Sequence, residues 1–371
     1  MDNPVEVARA LIAIDSVNPS LVADAAGEST IADYCTGWLV QRGFEVTRLE
    51  ATPGRPTIVA VSRGTGGGAS IMLNGHLDTV AATASQLVPQ IVDGALRGRG
   101  AFDTKGGVAA LMVAASRAVA SSLRGDILVT LVADEEFGSL GTEEVLASFT
   151  ADAAIVAEPS DLHLTVAHRG FAWFRLDITG HAAHGSMPEQ GVDAISHAAR
   201  VMAALDELRG ELESAAPHPY LAPGTVRVAT ITGGTDAATV AASCSLTIER
   251  RFLPGETPDS VEAELRRVIE SVEGAAGVEL VRVVARGAFE ADTASVIVSA
   301  VADSAREVLG EVRLRGEPFW TDAGLIAEAG IPCVVIGVAG GGAHADEEWA
   351  TTESIEQLAE IVERAIVRFC S

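Results

Sequence analysis

The chain has 371 residues, 48% hydrophobic and 21% charged, and its 26 Lys and Arg against 51 Asp and Glu leave a formal net charge of −25. That length fits two globular domains with sizeable cores. The acidic balance repels phosphate backbones and anionic lipid, so neither nucleic acid nor a membrane surface is an expected partner. Cys35, Cys244, Cys333 and Cys370 lie far apart without paired spacing, which points to neither a disulfide framework nor a thiolate metal site. Acidic residues stand where a secretory signal needs basic ones, and no apolar run reaches membrane length, so a reducing cytoplasm is the expected setting.

Apolar side chains recur at helical spacing over 5–14, and a second helix is expected over 29–42, closed by Gly43. Short apolar runs follow at 58–61, 70–73, 127–132, 153–157 and, late in the chain, 333–338. Runs of this length and composition read as buried parallel strands. Helical stretches at 107–121 and 141–149 alternate with them, the pattern of an α/β sheet covered on both faces. From about residue 170 the texture changes. Segments 171–179, 226–232 and 243–250 alternate apolar with polar residues, as antiparallel strands with one wet face do. Helical periodicity covers 192–212 and 259–272. The expected architecture is a discontinuous α/β domain with a mostly parallel sheet, 1–169 and 287–371, into which a small α+β domain, 170–286, is inserted.

Each chemically suggestive acid or imidazole stands just past one of the expected strands or at a Gly-led turn. Gly75-His76-Leu77-Asp78 follows the run at 70–73, and Gly98-Arg99-Gly100-Ala101-Phe102-Asp103 precedes a helix. Asp134-Glu135-Glu136, Glu158-Pro159 and Ala343-His344 follow three further runs. Open α/β sheets bind ligands at the carboxyl ends of their strands, so these residues are expected to converge. Singly, each has an ordinary explanation as a turn, a helix start or a solvated acid; their conjunction at five places does not. Together they are a carboxylate and imidazole set of the kind that divalent zinc takes in catalytic sites. Two ions need a shared carboxylate. His76, Glu158 and a bridging Asp103 would hold one, and Glu136, His344 and the same Asp103 the other. Asp78 is placed to fix the tautomer of His76 through its distal nitrogen. Glu135, adjacent to a ligand but not needed as one, is the candidate general base and acid.

The ordered segments 75–80 (Gly-His-Leu-Asp-Thr-Val), 98–107, 134–138 (Asp-Glu-Glu-Phe-Gly), 158–159 and 343–344 resemble those of the dizinc metallopeptidases. That family includes acetylornithine deacetylase, succinyl-diaminopimelate desuccinylase, aminoacylase and carboxypeptidase G. The resemblance implies two zinc ions per chain, with cobalt or manganese as possible replacements, and a bridge at Asp103, often with a cis peptide to Thr104. It implies that the insert is a lid through which the chain forms a homodimer. In the segment Gly180-His181-Ala182-Ala183-His184-Gly185-Ser186, the matching lid histidine is His184, which in related dimers reaches the partner's site and steadies an oxyanion; His181 is the weaker candidate. Arg251, in Glu249-Arg250-Arg251-Phe252, takes the place of an arginine that holds a substrate carboxylate, and Thr321, in Thr321-Asp322-Ala323-Gly324, falls in a loop lining the substrate pocket. After Gly233-Gly234 the family usually has an Asn, where this chain has the run beginning at Ala238. The activity implied is hydrolysis of a small, carboxylate-bearing amide, an N-acyl amino acid first and a dipeptide or peptide C-terminus second. A metal-binding protein without turnover is the rival from another class, and the presence of Glu135 beside all five ligands argues against it.

Overall fold

The computed structural model describes residues 2–274 and 276–371. Strand Ile71–His76 is buried along its whole length, between parallel partners Ile127–Val132 on one side and Ala153–Val156 on the other. Cys333–Val335 extends the parallel set beyond Ala153–Val156. Burial on both faces is why these segments are continuously apolar instead of alternating. The pairings on the flanks are antiparallel. Thr57–Ser62 pairs antiparallel with Ile127–Val132, Glu45–Leu49 pairs antiparallel with Thr57–Ser62, and the strand Leu164–His168 meets Cys333–Val335 antiparallel at Thr165. The run at 58–61 is therefore a buried strand but not a parallel one. An apolar run records burial on two faces, and burial is the same in either direction.

Helices Pro4–Ile12, Lys105–Ala118, Val296–Leu309 and Thr352–Cys370 belong to the same unit. The first is started by Asn3, whose side chain accepts from the Val5 amide at 2.8 Å, and by Pro4 within its first turn. Lys105–Ala118 is buried on almost every side, which suits its Gly- and Ala-rich composition. It passes so close to Ile71–His76 that a Cβ on Gly75 would stand 2.9 Å from the Val108 side chain. Thr352–Cys370 is capped by Thr351 and buries Ile355, Leu358, Ile361, Val362 and Ile366.

The chain forms two compact units, Met1–Val166 with Ala291–Arg315 and Thr321–Ser371, and Ala167–Glu290 with Gly316–Trp320. In the second, four antiparallel strands lie in the order Thr225–Gly233, Ser243–Phe252, Gly170–Thr179, Gly277–Arg286. One face packs Phe174, Leu176, Ile178, Leu246 and Ile248 against Val201 and Leu205 of helix Ala194–Glu213 and Val261 and Leu265 of helix Pro258–Glu270. The sequence does not mark the position of the last strand. It is an edge strand with exposed residues on both faces and a register shift between Arg282 and Val284, so the period-two signal is broken. No helix among the described residues is long and apolar enough to cross a membrane.

Leu358 is fully buried in the core of the first unit. Leu358→Ala should cost about 2–5 kcal/mol, the range for a cavity left by a core leucine. Urea unfolding should show the midpoint lowered at an unchanged slope; an unchanged midpoint would mean that the helix is not packed as described.

Candidate active site

Three parallel strands deliver their last residues to one end of the sheet. His76 ends its strand, and the Ala157 amide donates to the Asn74 carbonyl at 2.9 Å, which holds Glu158 alongside. Gly337 is pressed on the carbonyl of Glu158 so closely that a Cβ there would come within 1.9 Å of it. Beyond Ile127–Val132, Asp134 takes a left-handed conformation, φ 71°, and turns Glu135 and Glu136 back over the strand ends. Thr104 Oγ1 donates to the Ala157 carbonyl at 2.9 Å, and the Asp103–Thr104 peptide is cis.

The Asp103 carboxylate divides between two imidazoles. Its Oδ1 lies 3.1 Å from His76 Nε2, and its Oδ2 lies 3.3 Å from His344 Nε2. On the His76 side are Glu158 at 3.7 Å and Glu135 at 4.0 Å; on the His344 side is Glu136 at 2.8 Å. His76, Glu135 and Glu158, and likewise His76, Asp103 and Glu136, offer ligand atoms within 4.8 Å of one another, the spacing of a metal centre. Glu136 Oε1 is buried without a hydrogen-bond partner. A buried carboxylate oxygen left without a donor is costly, and a cation would satisfy it. The donor set and this orphaned oxygen both fit divalent ions.

The electrostatics describe the same crowding. Burial, then the Glu158 charge, pushes Glu135 well above the ordinary carboxylate range. Burial also raises Glu158, with Asp103 adding to it and His76 opposing, and burial and Asp103 together raise Glu136. Burial would lower His76, but Glu158 and Asp103 outweigh it and hold the imidazole well above its usual value. Asp103 itself is burdened by burial yet lowered by its bonds to His344 and His76.

Asp78 acts differently from the sequence expectation. His76 Nδ1 lies 2.9 Å from the Asp78 backbone carbonyl and 3.7 Å from its carboxylate. The carboxylate instead accepts the backbone amides of Glu135 and Glu136, at 3.1 and 3.2 Å. Asn18 Nδ2 donates to the same carboxylate at 2.7 Å, while the ring nitrogen meets the backbone carbonyl. Thr321 is buried, and its hydroxyl accepts the Ala323 amide at 3.2 Å at the start of helix Ala323–Glu328. Its neighbour Asp322 carries no signal of a role in the sequence. Burial raises it to about 6 despite a hydrogen bond from Thr142, and its charge contributes to raising both Glu135 and Glu158. Glu348, equally unassigned, accepts the amides of Gly100, Phe102 and Asp103 at 2.9–3.0 Å and pairs with buried Arg99 at 2.6 Å, so it holds the turn that presents Asp103. An acid so far along the chain from the turn it holds carries no local signal.

His184 and Arg251 belong to the second unit. His184 is exposed, and its Nδ1 accepts the Ser186 amide at 3.2 Å, with Ser186 Oγ at 2.8 Å. Nδ1 being an acceptor, the ring proton of the neutral side chain is on Nε2. His181 pairs with Val192 through the backbone. Arg251 stacks over Phe171, 5.3 Å from the ring centre, and bonds Glu249 at 2.9 Å, while Arg227 shares that carboxylate at 2.7 Å. Arg250 is fully buried between Glu256 and Glu264, a structural pairing.

The class to which this fold and cluster point is the hydrolases of amide and peptide bonds. The chain belongs to peptidase family M20/M25/M40, which its residues 72–368 match. It is 30% identical to acetylornithine deacetylase of Myxococcus xanthus over 92% of both chains. It is 28% identical to the N-formyl-4-amino-5-aminomethyl-2-methylpyrimidine deformylase of Bacillus subtilis, covering 99% of this chain and 94% of that one. Among solved structures, an aminopeptidase PepT of Bacillus cereus superposes with a TM-score of 0.80 at 22% identity, covering 100% of this chain and 98% of that one. A metallo-carboxypeptidase of Sulfolobus solfataricus also reaches 0.80, at 16% identity, with coverage of 100% and 99%.

In chelator, hydrogen bonds to Asp103 and Glu136 hold the partly exposed His344 protonated up to about pH 10. A raised folded pKa stabilises fully below the unfolded value near 6.5, and that contribution is lost as pH rises through about 10. The stability advantage of the metal-free wild type over His344→Gln, from urea midpoints, should shrink between pH 6.5 and pH 10. An advantage that is flat or grows over that interval would contradict the pairing.

Proposed function

We propose that this protein is a two-zinc amidohydrolase that removes a small acyl group from the nitrogen of a carboxylate-bearing substrate. The observation that carries the reading is the Asp103 carboxylate, turned with one oxygen to His76 and the other to His344. His76, Glu158 and Asp103 would hold one ion, and His344, Glu136 and Asp103 the other; cobalt or manganese could replace zinc. Bound there, the ions would supply Lewis acidity, polarising the amide carbonyl and lowering the pKa of an attacking water.

Glu135 is left to move the proton. Burial and the charge of Glu158 raise its affinity for a proton, so it can take one from water and return it to the leaving amine. Bound cations would bring that affinity down from its value in the metal-free cluster. His184, with its proton on Nε2, is a donor suited to a developing oxyanion. Arg251 is the group for a substrate carboxylate. Two guanidinium groups, Arg251 and Arg227, share the single carboxylate of Glu249. Burial and the charge of Arg251 lower Arg169, a third cation nearby. That surplus of positive charge suits an anion. The small acyl group is favoured because two relatives over most of the chain are named for an N-formyl and an acetyl substrate. The insert is read as a lid and homodimer interface, and the setting as cytoplasmic.

Glu135→Gln should keep both metal equivalents and lose about two to four orders of magnitude in kcat, whereas Glu136→Gln should weaken one equivalent. Metal analysis alongside turnover separates the two, and normal turnover by Glu135→Gln would refute its role. If His184 serves the partner's site, His184→Ala and Glu135→Ala chains, each inactive alone, should recover up to about half the wild-type activity per mixed dimer when co-refolded. Mixed dimers that form and stay inactive would rule out that crossing.

A further inference from the structure

Behind the turn at 134–136 lies a buried polar network that no step above uses. Arg55 is at its centre. Its side chain is 8% exposed, beside Glu28 at 0% and Asp134 at 4%. The guanidinium grips Glu28 with two parallel bonds, Nε to Oε2 at 2.8 Å and Nη2 to Oε1 at 2.7 Å. Nη2 also reaches Asp134 Oδ1 at 2.8 Å and Asn18 Oδ1 at 3.0 Å, and Nη1 reaches Ser20 Oγ at 2.8 Å.

The bonds to Asn18 fix which way its amide faces. Oδ1 accepts from Arg55 and from the Ser20 amide at 2.8 Å, so Nδ2 must point to the acids. It does, donating to Asp78 Oδ2 at 2.7 Å and to Asp134 Oδ1 at 3.2 Å. Asp78 in turn accepts the backbone amides of Glu135 and Glu136. A chain of hydrogen bonds thus runs from one cation to the backbone of the proposed base and of a proposed metal ligand.

We propose that Arg55 is a positioning residue for the site: it pins Asp134 directly and Asp78 through Asn18, and so sets the turn that aims Glu135 and Glu136. The physical need is plain. Asp78 and Asp134 are buried carboxylates beside a cluster already rich in them, and without donors they would repel each other and the cluster. Arg55 and Asn18 replace that repulsion with directional bonds, and the planar fork of an arginine matches several acceptors as a lysine cannot. This inference rests on the functional reading above, because it makes the network serve the metal ligands and the base.

The test uses the full-length protein with Arg55→Met, the milder Arg55→Lys, and the isosteric Asn18→Asp, which puts an oxygen where Asp78 and Asp134 need a donor. Leu358→Ala serves as a variant destabilised far from the network. Three quantities are read: zinc affinity by competition with a chromophoric chelator, kcat and KM, and hydrogen exchange at the Glu135 and Glu136 amides. Removing such support typically costs about 10–100-fold in metal affinity or activity. One zinc equivalent should therefore weaken by that factor, and kcat should fall with KM within about threefold. The two amides should exchange about tenfold faster or more while core amides do not change. Leu358→Ala should leave zinc affinity and kcat of the folded protein unaltered. Zinc affinity, kcat and both amides within about threefold of wild type in Asn18→Asp and Arg55→Lys would overturn the proposal, even if Arg55→Met fails to fold. If wild type itself binds no zinc, the functional reading falls, and exchange at the two amides still decides whether Arg55 sets the turn.

Discussion

Asp103 faces two imidazoles in a cluster where opposing charges meet within a few ångströms. Its carboxylate stands among Glu135, Glu136 and Glu158, and in the buried end of a sheet these acids repel one another strongly. His76 and His344 offset part of that repulsion, which is why both imidazoles are raised and Asp103 is lowered. They do not offset all of it, as the raised pKa values of Glu135, Glu136 and Glu158 record. A site left with surplus negative charge and an orphaned carboxylate oxygen is one that binds cations.

The rest of the first unit keeps these acids from relaxing apart. Parallel strands bring His76, Glu135, Glu136 and Glu158 to one end of the sheet because all run in the same direction and are locked by burial on both faces. Glu348 holds the backbone before Asp103, Gly337 leaves room for nothing but the Glu158 carbonyl, and Arg55 with Asn18 anchors the turn at 134–136. Each support comes from a part of the chain remote in sequence.

That remoteness explains what could be read from the sequence. Apolar runs and period-two alternation report burial, so the strands at 58–61, 70–73, 127–132, 153–157 and 333–335 and the change of texture near residue 170 are visible, whereas Glu45–Leu49 and Leu164–His168 are not. Strand direction was not, as the antiparallel strand Thr57–Ser62 shows. Nor was the edge strand Gly277–Arg286, whose exposed faces carry no clean period. The candidate ligands stood out because each follows a strand-like run or a Gly-led turn. Their supports did not. Nothing local distinguishes Arg55 or Glu348 from a surface charge, and the short spacing of Asp78 from His76 points its carboxylate to the imidazole where two backbone amides claim it.

Under the proposed function, this cluster hydrolyses amides only when it holds two divalent ions. The most direct measurement follows turnover of a panel of N-formyl, N-acetyl and N-succinyl amino acids and dipeptides while zinc is added to chelated protein. No hydrolysis is expected without metal, and the rate should rise to a plateau at about two equivalents per chain. Hydrolysis at full rate by the chelated protein, or none of any substrate at any zinc loading, would contradict it.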